Sequence, residues 1–234
     1  MADSTEYERP RPGEQPPYLY ADYRGTMKRA PQRALVRLPH TLSEVTGPSF
    51  ADGWAGADKA DLTRQHQTAP IGERMIVAGR VLDEAGRAVP GTLVELWQAN
   101  AAGRYRHDAD QHDAPLDPNF TGAGHGVSDA RGEYRFVTIV PGAYPWRNSD
   151  NAWRAQHLHF SVFGAAFATR IITQMFFPGD PLLDYDPIFH SIPDAAARER
   201  LIASYDPALS VAEWALGYRF DIVLRGRAAT PVGL

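Results

Sequence analysis

From Arg74 the chain reads RMIVAGRVLDEAGRAVPGTLVELWQAN (residues 74–100), where apolar and polar residues alternate, break at Asp83-Glu84-Ala85-Gly86 and alternate again. A period of two sends successive side chains to opposite faces of an extended chain, so the stretch fits a pair of strands joined by a turn. Further strand candidates are EYRFVTI (133–139), QHLHFSVF (156–163), ATRIITQM (168–175) and LGYRFDIVL (216–224). Many strands at irregular spacing with Gly- and Pro-rich connections imply an all-β fold, an antiparallel β-sandwich with long loops. One helix is expected, DAAARERLIAS (194–204), with Pro193 suited to its first turn and Asp194 and Glu199 near its positive end. Residues 99–130 form a loop long enough to be functional rather than merely connecting, and no internal repeat is evident.

Residues 1–70 are rich in Pro, Gly and charge, with only short apolar clusters such as ALVRLP (34–39). Such a segment buries too little to build its own core. The expected division is therefore an extended N-terminal arm (1–70) that lies on a partner surface, followed by one β-sandwich domain (71–234). With 44% hydrophobic residues in 234, the chain has enough apolar material for a single sizeable core. A net charge of -4 with signs interspersed provides no basic stripe, which argues against nucleic acid as a partner. No apolar run approaches the roughly 20 residues of a bilayer span, and the polar start lacks a signal-peptide layout. A soluble, cytoplasmic chain without membrane contact is expected. With zero cysteines, any metal must be held by nitrogen and oxygen.

Nitrogen is concentrated at His157-Leu158-His159. Residues two apart on a strand project to one face, about 6–7 Å apart, so both imidazoles point one way while Leu158, Phe160 and Val162 point into the core. Two such histidines suit a shared metal or a solvated outer face, and the pattern alone leaves both open. Two tyrosine-bearing loops frame the question: GRYRHDAD (103–110), and PGAYPWRN (141–148), whose prolines fix the backbone around Tyr144 and Trp146. Either tyrosine alone is equally at home packed on a sandwich edge. HDADQHD (107–113) offers His107, Asp108, Asp110, His112 and Asp113, but adjacent residues on flexible backbone converge poorly, so a solvated loop is expected. His125 and His190 lack a second ligand at useful spacing. Ser128, Ser161 and Ser191 carry no nucleophile motif, and no phosphate-cradling glycine loop is found.

Taken in order, LWQANAAGRYRH, PLDPNFTG, PGAYPWRN and WRAQHLHF resemble the intradiol ring-cleaving dioxygenases, and within them the β chains of enzymes that cleave protocatechuate. The similarity runs from about residue 20 to YRFDIVLRG (218–226). It implies one ferric ion per chain, Fe(III), with Tyr105, Tyr144, His157 and His159 as ligands. Tyr144 would leave the metal as substrate binds, while Tyr105 stays. Arg154 would stand beside the ring and stabilise its developing carbanion, the alternative role being a pair with a carboxylate such as Asp150. Tyr23, Arg29, Trp146, Arg147 and Gln174 would reach or support the substrate pocket. The resemblance further implies protocatechuate and O₂ as substrates, 3-carboxy-cis,cis-muconate as product, and a homologous α chain sharing the active site in a higher oligomer.

The residue chemistry agrees with that quartet. Phenolate is a hard anionic ligand suited to a hard, triply charged ion, and two phenolates offset most of its charge. Two other readings stay in play. Residues 76–144 also fit a metal-free prealbumin-like binding module, which has no need of Tyr105 or the histidine pair. A catechol or hydroxyquinol 1,2-dioxygenase would share the quartet but usually carries a helical N-terminal region, where this chain has a Pro-rich arm.

Overall fold

A computed structural model describes residues 10–36, 59–150, 152–163 and 170–233. Eleven strands are found among them: β1 (Arg74–Leu82), β2 (Leu93–Trp97), β3 (Ala123–Val127), β4 (Glu133–Ile139), β5 (Tyr144–Trp146), β6 (Ala152–Arg154), β7 (His157–Phe163), β8 (Arg170–Phe176), β9 (Ser204–Tyr205), β10 (Leu216–Arg219) and β11 (Ile222–Val223). They form two packed sheets and a small ribbon. One sheet runs β3-β2-β7-β8 and is antiparallel throughout. The other is built around β1, with β4 antiparallel on one side and β10 and β11 parallel along the other, β9 lying beyond β10. The ribbon pairs β5 with β6.

β1 and β2 follow each other in sequence yet belong to different sheets. The core lies between the sheets. Met75, Val77 and Val81 of β1 with Tyr134 and Phe136 of β4 meet Val94 and Leu96 of β2, Leu158, Phe160 and Val162 of β7, and Met175 of β8. Within each strand these residues fall at alternate positions and so share one face, but burial is not confined to that face in β1 or β4. β1 does not alternate: Ile76 is buried on the opposite face against Val137 and Ala215. A strand covered on both faces reads as a continuous apolar run, as MIVAG does. Gly79 lies where this strand passes closest to the break between β10 and β11; a Cβ there would come within 1.7 Å of the Phe220 carbonyl oxygen.

The expected helix over 194–204 is shorter, spanning Ala195–Glu199, with Asp194 capping it through the Ala197 amide at 2.7 Å. Pro193 precedes the cap rather than occupying the first turn. Pairing with the end of β8 draws the backbone out of the helix: Phe176 N donates to Leu201 O at 2.8 Å and Ala203 N to Phe176 O at 2.9 Å. Among the described residues two other short α-helices, Thr26–Arg29 and Pro187–His190, are present.

The described part of the N-terminal region is fastened at several points. Asp194 N donates to Gly13 O, Arg24 N to Asn148 O, and Val232 N to the Gln15 side chain. Leu62 enters the main core. Residues 37–39 of ALVRLP and residues 168–169 of ATRIITQM lie outside the described residues.

Candidate metal centre

β7 places His157 and His159 on the outer face of its sheet, while Leu158 and Phe160 are fully buried beneath. Register then supplies their neighbours. Trp97 of β2 lies directly opposite His159 and stacks on it, ring centroids 4.8 Å apart and planes within 5°. Phe176 of β8 lies opposite His157. The His157 ring is oriented by Ala155: Nδ1 lies 2.6 Å from that residue's carbonyl oxygen, which only accepts, so Nδ1 carries the proton and Nε2 presents a bare lone pair.

Two loops bring one tyrosine to each histidine, Tyr144 to His157 Nε2 and Tyr105 to His159 Nε2. The loop carrying Tyr105 is pinned at its base by Asn100, whose side-chain oxygen accepts from Ala102 N and Arg104 N, both at 2.9 Å. The Asn100 carbonyl also accepts from Gly142 N, which joins this loop to the one bearing Tyr144. Gly103 sits at the junction with φ +76, and a Cβ there would come within 2.2 Å of Ala143 O, so glycine is required twice over. Further along, Asp110 accepts from Tyr105 N at 2.7 Å and from His112 N at 2.8 Å, while His107 Nδ1 accepts from Ala109 N. The polar run after Tyr105 is therefore turned onto its own backbone, and Asp110 holds the tyrosine in place.

The result is a chain of four donor atoms. Tyr144 Oη lies 3.2 Å from His157 Nε2, that atom 3.2 Å from His159 Nε2, and the latter 3.1 Å from Tyr105 Oη. A metal bonded to nitrogen and oxygen at about 2.0–2.2 Å sets neighbouring ligands about 3 Å apart. The donor set fits such an ion. Both imidazoles are held neutral, with pKa values well below the usual range: burial is the main cause, reinforced by Arg154 for His157 and by His157 and Arg154 for His159. Burial, with Tyr144 nearby, pushes Tyr105 well up, and burial raises Tyr144 against the opposing pull of Arg154. Phenols this reluctant to ionise become anions only beside a strong cation.

The other expected pocket residues fall into two groups. Arg154, 2% exposed, leaves the ribbon through Nε to Asp186 Oδ2 at 2.8 Å and through Nη2 to Gln174 Oε1. Burial alone would lower its pKa, but Asp186 and the nearby phenols hold it above the ordinary value, so it stays charged. Asp150 pairs instead with Arg24, at 2.6 Å. Gln174 is buried behind Arg154. On the solvent side, the Arg154 guanidinium carbon lies 5.5 Å from the Trp146 ring centroid, Tyr23 packs edge-on to Trp146 at 4.6 Å, and Arg29 covers Tyr23 at 4.7 Å. Arg147 is exposed. Sequence reasoning missed Asp186 and the Trp97 stack, and it assigned Asp110 to a solvated loop, where the carboxylate in fact accepts from the Tyr105 and His112 amides. Asp186-Pro187 reads locally as a helix start, but its partner in β6 is 32 residues away.

Comparison with known proteins accords with this arrangement. Residues 45–226 match a dioxygenase family model, and residues 7–41 match the model for the N-terminal region of the protocatechuate 3,4-dioxygenase beta subunit. A protocatechuate 3,4-dioxygenase beta chain from Burkholderia cepacia is 55% identical over 219 residues, 93% of either chain. A protocatechuate 3,4-dioxygenase alpha chain from Pseudomonas putida is 28% identical over 202 residues, 82% of this chain and 95% of that one. Among solved structures, the dioxygenase domain of a dioxygenase carbohydrate-binding fusion from Streptomyces sp. SirexAA-E superposes with a TM-score of 0.53 at 25% identity, covering 77% of this chain and 94% of that one. With one family model spanning most of its length and a beta chain matching it almost from end to end, the chain belongs to the intradiol ring-cleavage dioxygenase family.

Proposed function

We propose that this chain is the iron-bearing β chain of a protocatechuate 3,4-dioxygenase, opening the ring between the two hydroxyl-bearing carbons with O₂ to give 3-carboxy-cis,cis-muconate. The observation that carries the reading is the convergence of two phenol oxygens and two imidazole nitrogens at 3.1–3.2 Å on the outer face of one sheet. The family uses non-haem iron, and here Tyr105, Tyr144, His157 and His159 would hold one ferric ion per chain. When bound, that ion would supply Lewis acidity that lowers the pKa of a catechol hydroxyl and makes the ring electron-rich towards O₂.

The remaining work falls to the chain's own groups. Tyr144 Oη, on the Pro-flanked loop, accepts a proton from an incoming catechol hydroxyl. Tyr105, clamped by Asp110, keeps its place. Arg154 brings a fixed positive charge to where negative charge develops on the ring, and its burial makes that charge count for more than it would in water. Trp146 and Tyr23 wall the approach and keep water from it, with Arg29 and Arg147 at its rim to meet a carboxylate.

The similarity to both beta and alpha chains supports an αβ heteromer in which a homologous α chain completes the pocket, within a higher oligomer. In that assembly residues 1–70 serve as the contact arm and residues 71–234 as the catalytic domain. Among the described residues no helix is long and apolar enough to cross a membrane, and we place the enzyme in the cytoplasm. Co-expressed with its α chain, the protein is expected to consume O₂ and protocatechuate in equal amounts, with lower kcat/KM on catechol and hydroxyquinol. Higher kcat/KM on either of these would assign it to the 1,2-dioxygenases; no ring opening with any of the three would refute the enzyme reading.

A further inference from the structure

Asp186 stands at 0% exposure at the head of the Pro187–His190 helix and makes four contacts with two oxygens. Oδ1 accepts from Ile188 N at 2.9 Å and Phe189 N at 3.0 Å, which is an ordinary helix cap. Oδ2 is not needed for the cap. It accepts instead from Arg154 Nε at 2.8 Å and Ala155 N at 2.9 Å. Ala155 is the residue whose carbonyl sets the His157 tautomer. One buried carboxylate thus reaches the guanidinium beside the metal ligands and the backbone that orients one of them.

The contact has directional content. A guanidinium is a planar fork, so a bond at Nε together with the Nη2 bond to Gln174 fixes both its plane and its rotation. Among the described residues those two groups are the side-chain hydrogen-bond partners of the guanidinium. A long, flexible arginine held this way loses little further freedom when charge develops beside it.

We propose that Asp186 is a positioning residue for the ring-cleavage reaction, acting through Arg154 by locking the guanidinium plane against the substrate site. This rests on the function proposed above. The two halves of the carboxylate's work are separable: Asp186→Ser retains a capping oxygen for the helix amides while removing the charged partner of Arg154, and Asp186→Asn keeps the shape but turns an amide NH₂ towards a donor.

The test uses the αβ complex and compares wild type, Asp186→Ser, Asp186→Asn, Arg154→Gln and the Asp186→Ser/Arg154→Gln double variant. Iron per chain, the visible spectrum of the anaerobic protocatechuate complex, and kcat and KM for protocatechuate are measured. Both Asp186 variants should retain iron and the charge-transfer band of the resting enzyme, and lose about 10–100-fold in kcat with a smaller change in KM. The double variant should be no slower than Arg154→Gln alone, because both changes act on one group. Losses that multiply in the double variant, or activity that falls only in proportion to iron, would overturn the inference, and either Asp186 variant suffices should the other not fold. A wild-type complex without iron or ring opening would overturn the functional reading and this inference with it; an active wild type with multiplying losses overturns the inference alone.

Discussion

Replacing Tyr105 with Phe is expected to cost the protein most of its iron, whereas replacing Tyr144 with Phe is expected to leave the iron and remove most of the turnover. The two side chains sit at opposite ends of the donor chain, each against a different histidine, and their supports differ. Tyr105 is fixed through its backbone by Asp110 and through its loop base by Asn100, which suits a ligand that never leaves. Tyr144 sits between Pro141 and Pro145 on a ribbon that pairs it with Arg154, where a phenolate can exchange partners beside a fixed positive charge. Losing a permanent anionic ligand should weaken iron retention by at least the 10–100-fold typical of losing a mere supporting contact. Losing a base that accepts the catechol proton should lower kcat about 100-fold or more. Iron content and the spectra of both variants saturated with protocatechuate without oxygen separate the roles. If Tyr144→Phe loses the tyrosinate band of the substrate complex while Tyr105→Phe keeps it, the assignments are reversed.

Arg154→Gln should have the second large effect, and on two quantities. Removing a preorganised charge at a site of developing anion lowers kcat by about 10²–10³. It also strands Asp186, which is fully buried with Arg154 as its charged partner, and breaking a buried pair from one side costs about 3–5 kcal/mol. The amides of Ala155, Ile188 and Phe189 still bond to Asp186 and bring the loss towards the lower end of that range. Denaturant unfolding and steady-state kinetics measure the two effects. A kcat within twofold of wild type would remove Arg154 from the reaction, and unchanged stability would mean that the pair adds nothing to the fold.

The strands and the histidine pair were legible because their signals are local. EYRFVTI coincides with β4 residue for residue, and the alternation in HLHFSV separates His157 and His159 from a core-facing Leu158 and Phe160 without any knowledge of the fold. The tyrosines were legible only together with their surroundings, since a lone tyrosine on a loop has no period to betray it. What stayed hidden depends on pairing between distant segments. Nothing in residues 74–100 says that β1 and β2 part into different sheets, that β1 is covered on both faces, or that β10 and β11 run parallel to it. Trp97 meets His159 through register, and Asp186 meets Arg154 through the packing of the Pro187–His190 turn against the ribbon. The helix over 194–204 was overread because local propensity cannot see the end of β8 taking up the backbone of Leu201 and Ala203.

The most direct test of the metal centre is the iron content and visible spectrum of the wild-type protein, purified with its α chain from iron-replete cells, before and after anaerobic addition of protocatechuate. Two phenolates on a ferric ion predict about one iron per chain by the donor count, a burgundy colour from tyrosinate-to-iron charge transfer, and a changed band when the catechol displaces Tyr144. A colourless, iron-free protein that protocatechuate leaves unaltered would contradict the account and favour a metal-free binding module on the same sandwich.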